Sequence, residues 1–121
     1  PTQITVENPI ISQAKHYIEE HYSDETLSRE TVAGHVCLTP TYFSELFHKE
    51  TGRHFTDFVR EARMKKAREL LTTTSKNIAE IAYETGFSSQ SYFTQLFTQE
   101  FHITPSKYRK KTWTLLISNK I

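Results

Sequence analysis

With 121 residues, 36% of them hydrophobic, the chain can bury one or two small cores but not a large enzyme cavity. No apolar run is long enough to cross a bilayer, no signal-peptide pattern is present, and the single cysteine, Cys37, forbids an internal disulfide and fits a reducing cytoplasm. The formal net charge of +1 hides an asymmetry: residues 1–52 hold three basic groups against eight acidic ones, and residues 53–121 hold twelve against six, an imbalance associated with nucleic-acid contact.

The chain opens on Pro1 rather than Met, which reads as a piece cut from a longer protein. Every periodic segment that follows reads as helix. Asn8-Pro9 supplies a cap and a first-turn proline, after which Ile10, Ile11, Ala14 and Ile18 fall at helical spacing. Residues 22–26 form a polar break. Ser28 can cap a short helix through Val36, and residues 37–39 make a tight connection. Thr39-Pro40 repeats the start signal for a helix that stops at Gly52. From Phe55 a longer helix sets Phe58, Val59, Ala62, Ala67, Leu70 and Leu71 on one face, until four hydroxyl residues, Thr72 to Ser75, end it. Ser75 is expected to cap a helix to Thr85, and Ser88 another to about Glu100. Thr104-Pro105 opens a last helix anchored by Tyr108. The tail from Lys110 to Ile121 is expected to be loosely ordered, or to rest on a domain outside this chain.

The second half copies the first. Tyr42-Phe43-Ser44-Glu45-Leu46-Phe47 recurs 50 positions later as Tyr92-Phe93-Thr94-Gln95-Leu96-Phe97, and Val32-Ala33 recurs 49 positions later as Ile81-Ala82. Two copies make a duplicated subdomain, not a solenoid. The apolar positions repeat best and the residues between them differ, which suggests two similar units reading two different things. Short helix, tight turn and longer helix make the helix-turn-helix pattern. Ala33 and Ala82 are small enough for a close helix crossing, and Gly86 suits a turn with positive φ, where Cys37 stands in the first copy. Phe43, Leu46, Phe47 and Phe93, Leu96, Phe97 form the inward faces. The outward faces then carry Thr41, Ser44, Glu45 and His48 in the first unit, and Gln90, Ser91, Thr94, Gln95 and Thr98 in the second. Such side chains suit a major groove: Gln can pair with adenine, Glu can accept from cytosine N4, and Thr methyls can touch thymine.

The linking helix from Phe55 to Leu71 spans roughly 25 Å at the usual rise. That length could place two recognition helices about one DNA turn apart, roughly 34 Å. Its cations are spread all round the helix, so only some can meet phosphates. Arg60 and Lys66 are favoured for that role, while Arg63 either does the same or covers the core with its stem. Lys49 and Lys76 are further phosphate candidates. The domain division on this reading is 1–53 for the first helix-turn-helix subdomain, 54–74 for the linking helix, 75–111 for the second subdomain, and 112–121 for the tail.

An enzyme or metal protein is not supported. The six histidines form no i, i+4 pair around an acidic helper, and one Cys gives no CxxC pair. No glycine-rich phosphate loop or nucleophile elbow is present, so neither a cofactor nor a metal is expected. A helical protein-interaction module is the alternative, but it leaves the polar outward faces of both copies unexplained.

The run from Ile78 to Phe97 (IAEIAYETGFSSQSYFTQLF), followed by Thr104-Pro105-Ser106-Lys107-Tyr108-Arg109, resembles the DNA-binding domain of the AraC/XylS family of bacterial transcription regulators. The resemblance covers about Ile10 to Lys110. It implies an all-α fold of seven helices, with two helix-turn-helix subdomains joined by a long linking helix. It also implies sequence-specific binding of double-stranded DNA, usually beside a promoter and often as an activator working through RNA polymerase. Carried over by position, it places base reading at Thr41, Ser44 and Glu45, and at Gln90, Ser91, Thr94 and Gln95. The chain departs from the family pattern at Glu45 and Gln95, where arginine is frequent, and at His48, Thr98 and Gln99, where lysines are frequent. Fewer cations argue for dimerisation through a missing N-terminal regulatory domain, with paired sites raising effective affinity. That domain is expected to be a receiver or a ligand sensor, with the balance towards a receiver.

Overall fold

The structure, a computed structural model, describes residues 6–118. Seven α-helices follow one another among them: α1 (Pro9–His21), α2 (Arg29–His35), α3 (Pro40–Thr51), α4 (Phe55–Thr73), α5 (Ile78–Glu84), α6 (Gln90–Phe101) and α7 (Pro105–Ser118). The chain divides into two compact units at Glu61 and Ala62, inside α4. No helix of the described residues is long and apolar enough to cross a membrane.

In the first unit the expected start signals work as caps. Asn8 Oδ1 accepts from the Ile10 N–H at 2.8 Å, with Pro9 in the first turn. Ser28 and Thr31 close a reciprocal capping box on α2. Thr39 Oγ1 accepts from the Tyr42 N–H at 3.3 Å, where α3 would otherwise leave a donor unsatisfied. Gly52 ends α3 in the left-handed conformation, its N–H donating to His48 O at 2.8 Å. The core collects Ile11, Ala14 and Ile18 of α1, Val32 and Ala33 of α2, and Phe43 and Phe47 of α3, all fully buried, with Phe55 and Val59 of α4. Aromatic edges knit it: Phe43 and Phe55 lie 5.6 Å apart, and Phe47 and Phe58 5.2 Å apart.

In the second unit Met64, Ala67 and Leu71 of α4 pack with Ile81, Ala82, Phe87, Phe93 and Phe97. Here three boundaries differ from expectation. Helix α4 continues to Thr73, and the hydroxyls of Thr72, Thr73 and Thr74 bond back to carbonyls three or four residues earlier. Asn77, not Ser75, caps α5, with its Oδ1 accepting from the Glu80 N–H at 2.8 Å. Ser89, not Ser88, caps α6 by accepting from the Tyr92 N–H at 3.1 Å.

The tail differs most. Residues 110–118 are not loose but continue α7, and the cause lies at its start. The last carbonyls of α4 have no partner within their own helix. Arg109 donates to Leu71 O at 2.9 Å and to Thr74 O at 3.2 Å, and the Trp113 indole donates to Thr72 O at 3.1 Å. The Arg109 guanidinium also lies over the Trp113 ring, 5.2 Å from its centroid, and burial lowers its pKa. Beyond this clamp Leu115, Leu116 and Ile117 are exposed. Residues 119–121 of the expected tail lie outside the described residues.

Candidate nucleic-acid interface

The two helix-turn-helix turns are built alike. In the first, Cys37 has φ 60°, and the Leu38 N–H reaches back to Ala33 O at 2.9 Å. In the second, Gly86 has φ 92°, and the Phe87 N–H reaches Ala82 O at 3.0 Å. Each turn therefore aims its following helix from the carbonyl of a fully buried alanine. The result is a matched orientation within each unit. Along Thr41–Phe47 the residues run exposed, exposed, buried, half-buried, exposed, half-buried, buried, and Ser91–Phe97 repeats that order without change.

On α3 the outward face presents Thr41, Glu45 and His48, all exposed, while Ser44 is half-buried. Ser44 Oγ accepts from Arg29 Nη1 at 3.4 Å, a reach from the first residue of α2. On α6, Gln90, Ser91, Thr94, Gln95, Thr98 and Gln99 line one open depression of the surface. Gln90, Ser91 and Gln95 are exposed there, and Thr94 is half-buried. Thr98 is half-buried and its hydroxyl donates back to Thr94 O at 2.7 Å. The structure thus brings the four expected residues of α6 together on one face, and Thr41, Ser44 and Glu45 together on the face of α3.

Sequence pattern alone does not single out Arg29, yet it reaches the face of α3; Gln99, marked in the sequence only as a departure from the family pattern, joins the depression on α6. Tyr42 and Tyr92, matched in the repeat, are alike in exposure too, at 52% and 48%. Arg29 had no sequence signal, since its contact joins residues 15 apart.

The expected phosphate cations are less available than their charge suggests. Arg60 donates to Asp57 at 2.8 Å, and Lys66 lies 3.2 Å from Glu69. Lys76 Nζ donates to both oxygens of Glu84, at 2.6 and 2.8 Å. Lys49 stands exposed in the last turn of α3 and makes no ion pair among the described residues. Arg63 is half-buried. The carboxylates here are exposed partners of exposed cations, so phosphates can exchange with them at small cost.

Histidines gather in two places without a metal-binding arrangement. The His48 and His54 rings stack at 4.3 Å, and Tyr17 lies 4.0 Å from His21 and 4.4 Å from His35. Among the described residues no three His, Cys, Asp or Glu side chains come together as a metal would need.

The sequence profile of the helix-turn-helix domain family matches residues 32–111. The regulatory protein PocR of Salmonella typhimurium is 46% identical over 101 residues, which are 84% of this chain and 33% of that protein. The solved C-terminal domain of AraT, a response regulator from Geobacillus stearothermophilus, superposes with a TM-score of 0.84 at 34% identity, covering 88% of each chain. A transcriptional regulator of Chromobacterium violaceum, described as an AraC-type DNA-binding-domain protein, superposes with a TM-score of 0.78 at 31% identity, covering 86% of this chain and 92% of that one. The chain spans about a third of the length of the first curated relatives it matches.

Proposed function

This chain belongs to the AraC/XylS family of bacterial transcription regulators as a helix-turn-helix DNA-binding domain, and from that premise we propose that it binds double-stranded DNA sequence-specifically, with α3 and α6 each entering a major groove. The observation that carries the reading is the repeated order of burial along Thr41–Phe47 and Ser91–Phe97. Two copies of one scaffold bury the same ribs and turn out different polar side chains, which is what two base-reading helices require.

On this reading Thr41, Ser44 and Glu45 contact one set of base edges, and Gln90, Ser91, Thr94 and Gln95 contact another. Lys49, Arg60, Lys66 and Lys76 contact phosphates, the last three by exchanging a carboxylate for a phosphate oxygen. The bound DNA is then expected to carry two unlike half-sites about one helical turn, roughly 34 Å, apart. The whole regulator acts in the cytoplasm, contacts RNA polymerase, and dimerises through a domain outside this chain. AraT is itself a response regulator, which supports a phosphorylatable receiver as that domain.

The test is binding to duplexes selected from a random pool, followed across a salt series. The expected result is a selected motif with two unlike halves, bound more tightly than an unrelated duplex, with affinity falling steeply as salt rises. Equal affinity for every duplex, or affinity indifferent to salt, overturns the reading and favours a protein partner.

A further inference from the structure

The first unit offers few cations to a polyanion. Lys15 is held by Glu7 at 2.5 Å and lies over the Phe58 ring, and Arg53 is paired with Glu61. Helix α3 turns out the exposed carboxylate of Glu45, with no cation of its own before Lys49. One guanidinium nevertheless reaches this face. Arg29, the first residue of α2, donates from Nη1 to Ser44 Oγ at 3.4 Å, while its Nη2 lies 3.7 Å from Glu30. Both contacts are long, and the side chain is 46% exposed, so water competes with each and little holds the group in place. The matching position of the second unit is Ile78, so this cation belongs to the first unit alone.

Placement gives the group a role. In helix-turn-helix docking the first helix crosses the DNA backbone while the second lies in the groove. A side chain that starts on α2 and ends at the outward face of α3 stands at the border between strand and groove. A planar fork of N–H donors there suits a phosphate better than it suits a single serine hydroxyl.

We propose that Arg29 is a DNA-phosphate contact of the first unit, leaving Ser44 and Glu30 for a backbone oxygen when α3 enters the groove. This rests on the DNA-binding reading above. It gives an otherwise acidic unit a positive group on its leading face, beside the residue that precedes Glu45.

Salt dependence of duplex binding tests it, measured on the unaltered chain and on Arg29→Gln, Arg29→Lys and Arg53→Gln, each with a selected and an unrelated duplex. Arg29→Gln is expected to weaken both complexes by the same factor. It should also reduce the log–log salt slope by about 0.9, the value of one phosphate contact. Arg29→Lys keeps the charge and should keep the slope. Arg53→Gln removes an equal charge from the same unit and should change the slope by less than half as much. The side chain is exposed, so an unchanged helix signal in circular dichroism is expected throughout. An unaltered slope in Arg29→Gln, a loss confined to the selected duplex, or a loss no greater than that of Arg53→Gln overturns the assignment while duplex binding itself stands. No salt-dependent binding by the unaltered chain overturns both.

Discussion

Among the described residues four hold left-handed backbone, and the two units use glycine at opposite ends of the same design. At the turn before the recognition helix stand Cys37 (φ 60°) and Gly86 (φ 92°), and at its C-terminal end Gly52 (φ 74°) and His102 (φ 59°). An L-residue in this region is disfavoured by roughly 1–2 kcal/mol. Replacing it with glycine removes that strain but adds freedom to the unfolded chain, worth about 0.4–1 kcal/mol in the other direction. Cys37 is exposed and forms no disulfide, so its side chain contributes little packing. Cys37→Gly should therefore stabilise the fold by about 0.5–1 kcal/mol, which corresponds to roughly 2–4 °C in the melting midpoint for a chain of this size. Gly52→Ala should do the opposite by a similar amount. A Cβ at position 52 meets nothing within 4 Å, so strain at φ 74° acts without a clash. Thermal melts followed by circular dichroism check both. A lowered midpoint in Cys37→Gly, or shifts of the same sign in the two variants, refutes the reasoning.

Three further outcomes follow from the interface and its supports. Gln95→Ala removes an exposed side chain, so stability should change by less than about 0.5 kcal/mol, while affinity for a selected duplex falls by about 1–3 kcal/mol and for unrelated DNA hardly at all; titration of both duplexes decides it. Glu84→Gln releases Lys76 from a surface pair worth about 0.2–1 kcal/mol, and duplex affinity at low salt should rise severalfold at most, with a steeper salt slope. Trp113→Phe deletes the 3.1 Å bond to Thr72 O and should destabilise the chain by about 1 kcal/mol, measured by urea denaturation.

Much of this molecule is written locally. Caps at Asn8, Ser28 and Thr39, the glycine stop at Gly52, and the apolar ribs at Phe43, Phe47, Phe93 and Phe97 each depend on neighbours within a turn or two. Sequence spacing is enough to find them. The outward faces follow from the ribs, because fixing one side of a helix fixes the other.

What escaped is either a choice between near-equivalent residues or a contact between distant ones. Ser88 and Ser89 are both competent caps, and only backbone geometry selects Ser89. Asn77 wins over Ser75 because α4 runs on to Thr73 and α5 begins only at Ile78, which puts the cap position at residue 77. The ordering of α7 depends on Arg109 and Trp113 meeting carbonyls 35 to 41 residues away. Likewise the pairing of Lys76 with Glu84, and of Arg29 with Ser44, changes what those cations can do without leaving a trace in any local pattern.

Methylation interference on a selected duplex addresses the central claim most directly, since it reports which guanines must stay open in the major groove. Two helices reading two grooves predict two clusters of interference on one side of the duplex, centred about ten base pairs apart. A single cluster, or interference spread evenly along the site, contradicts the account.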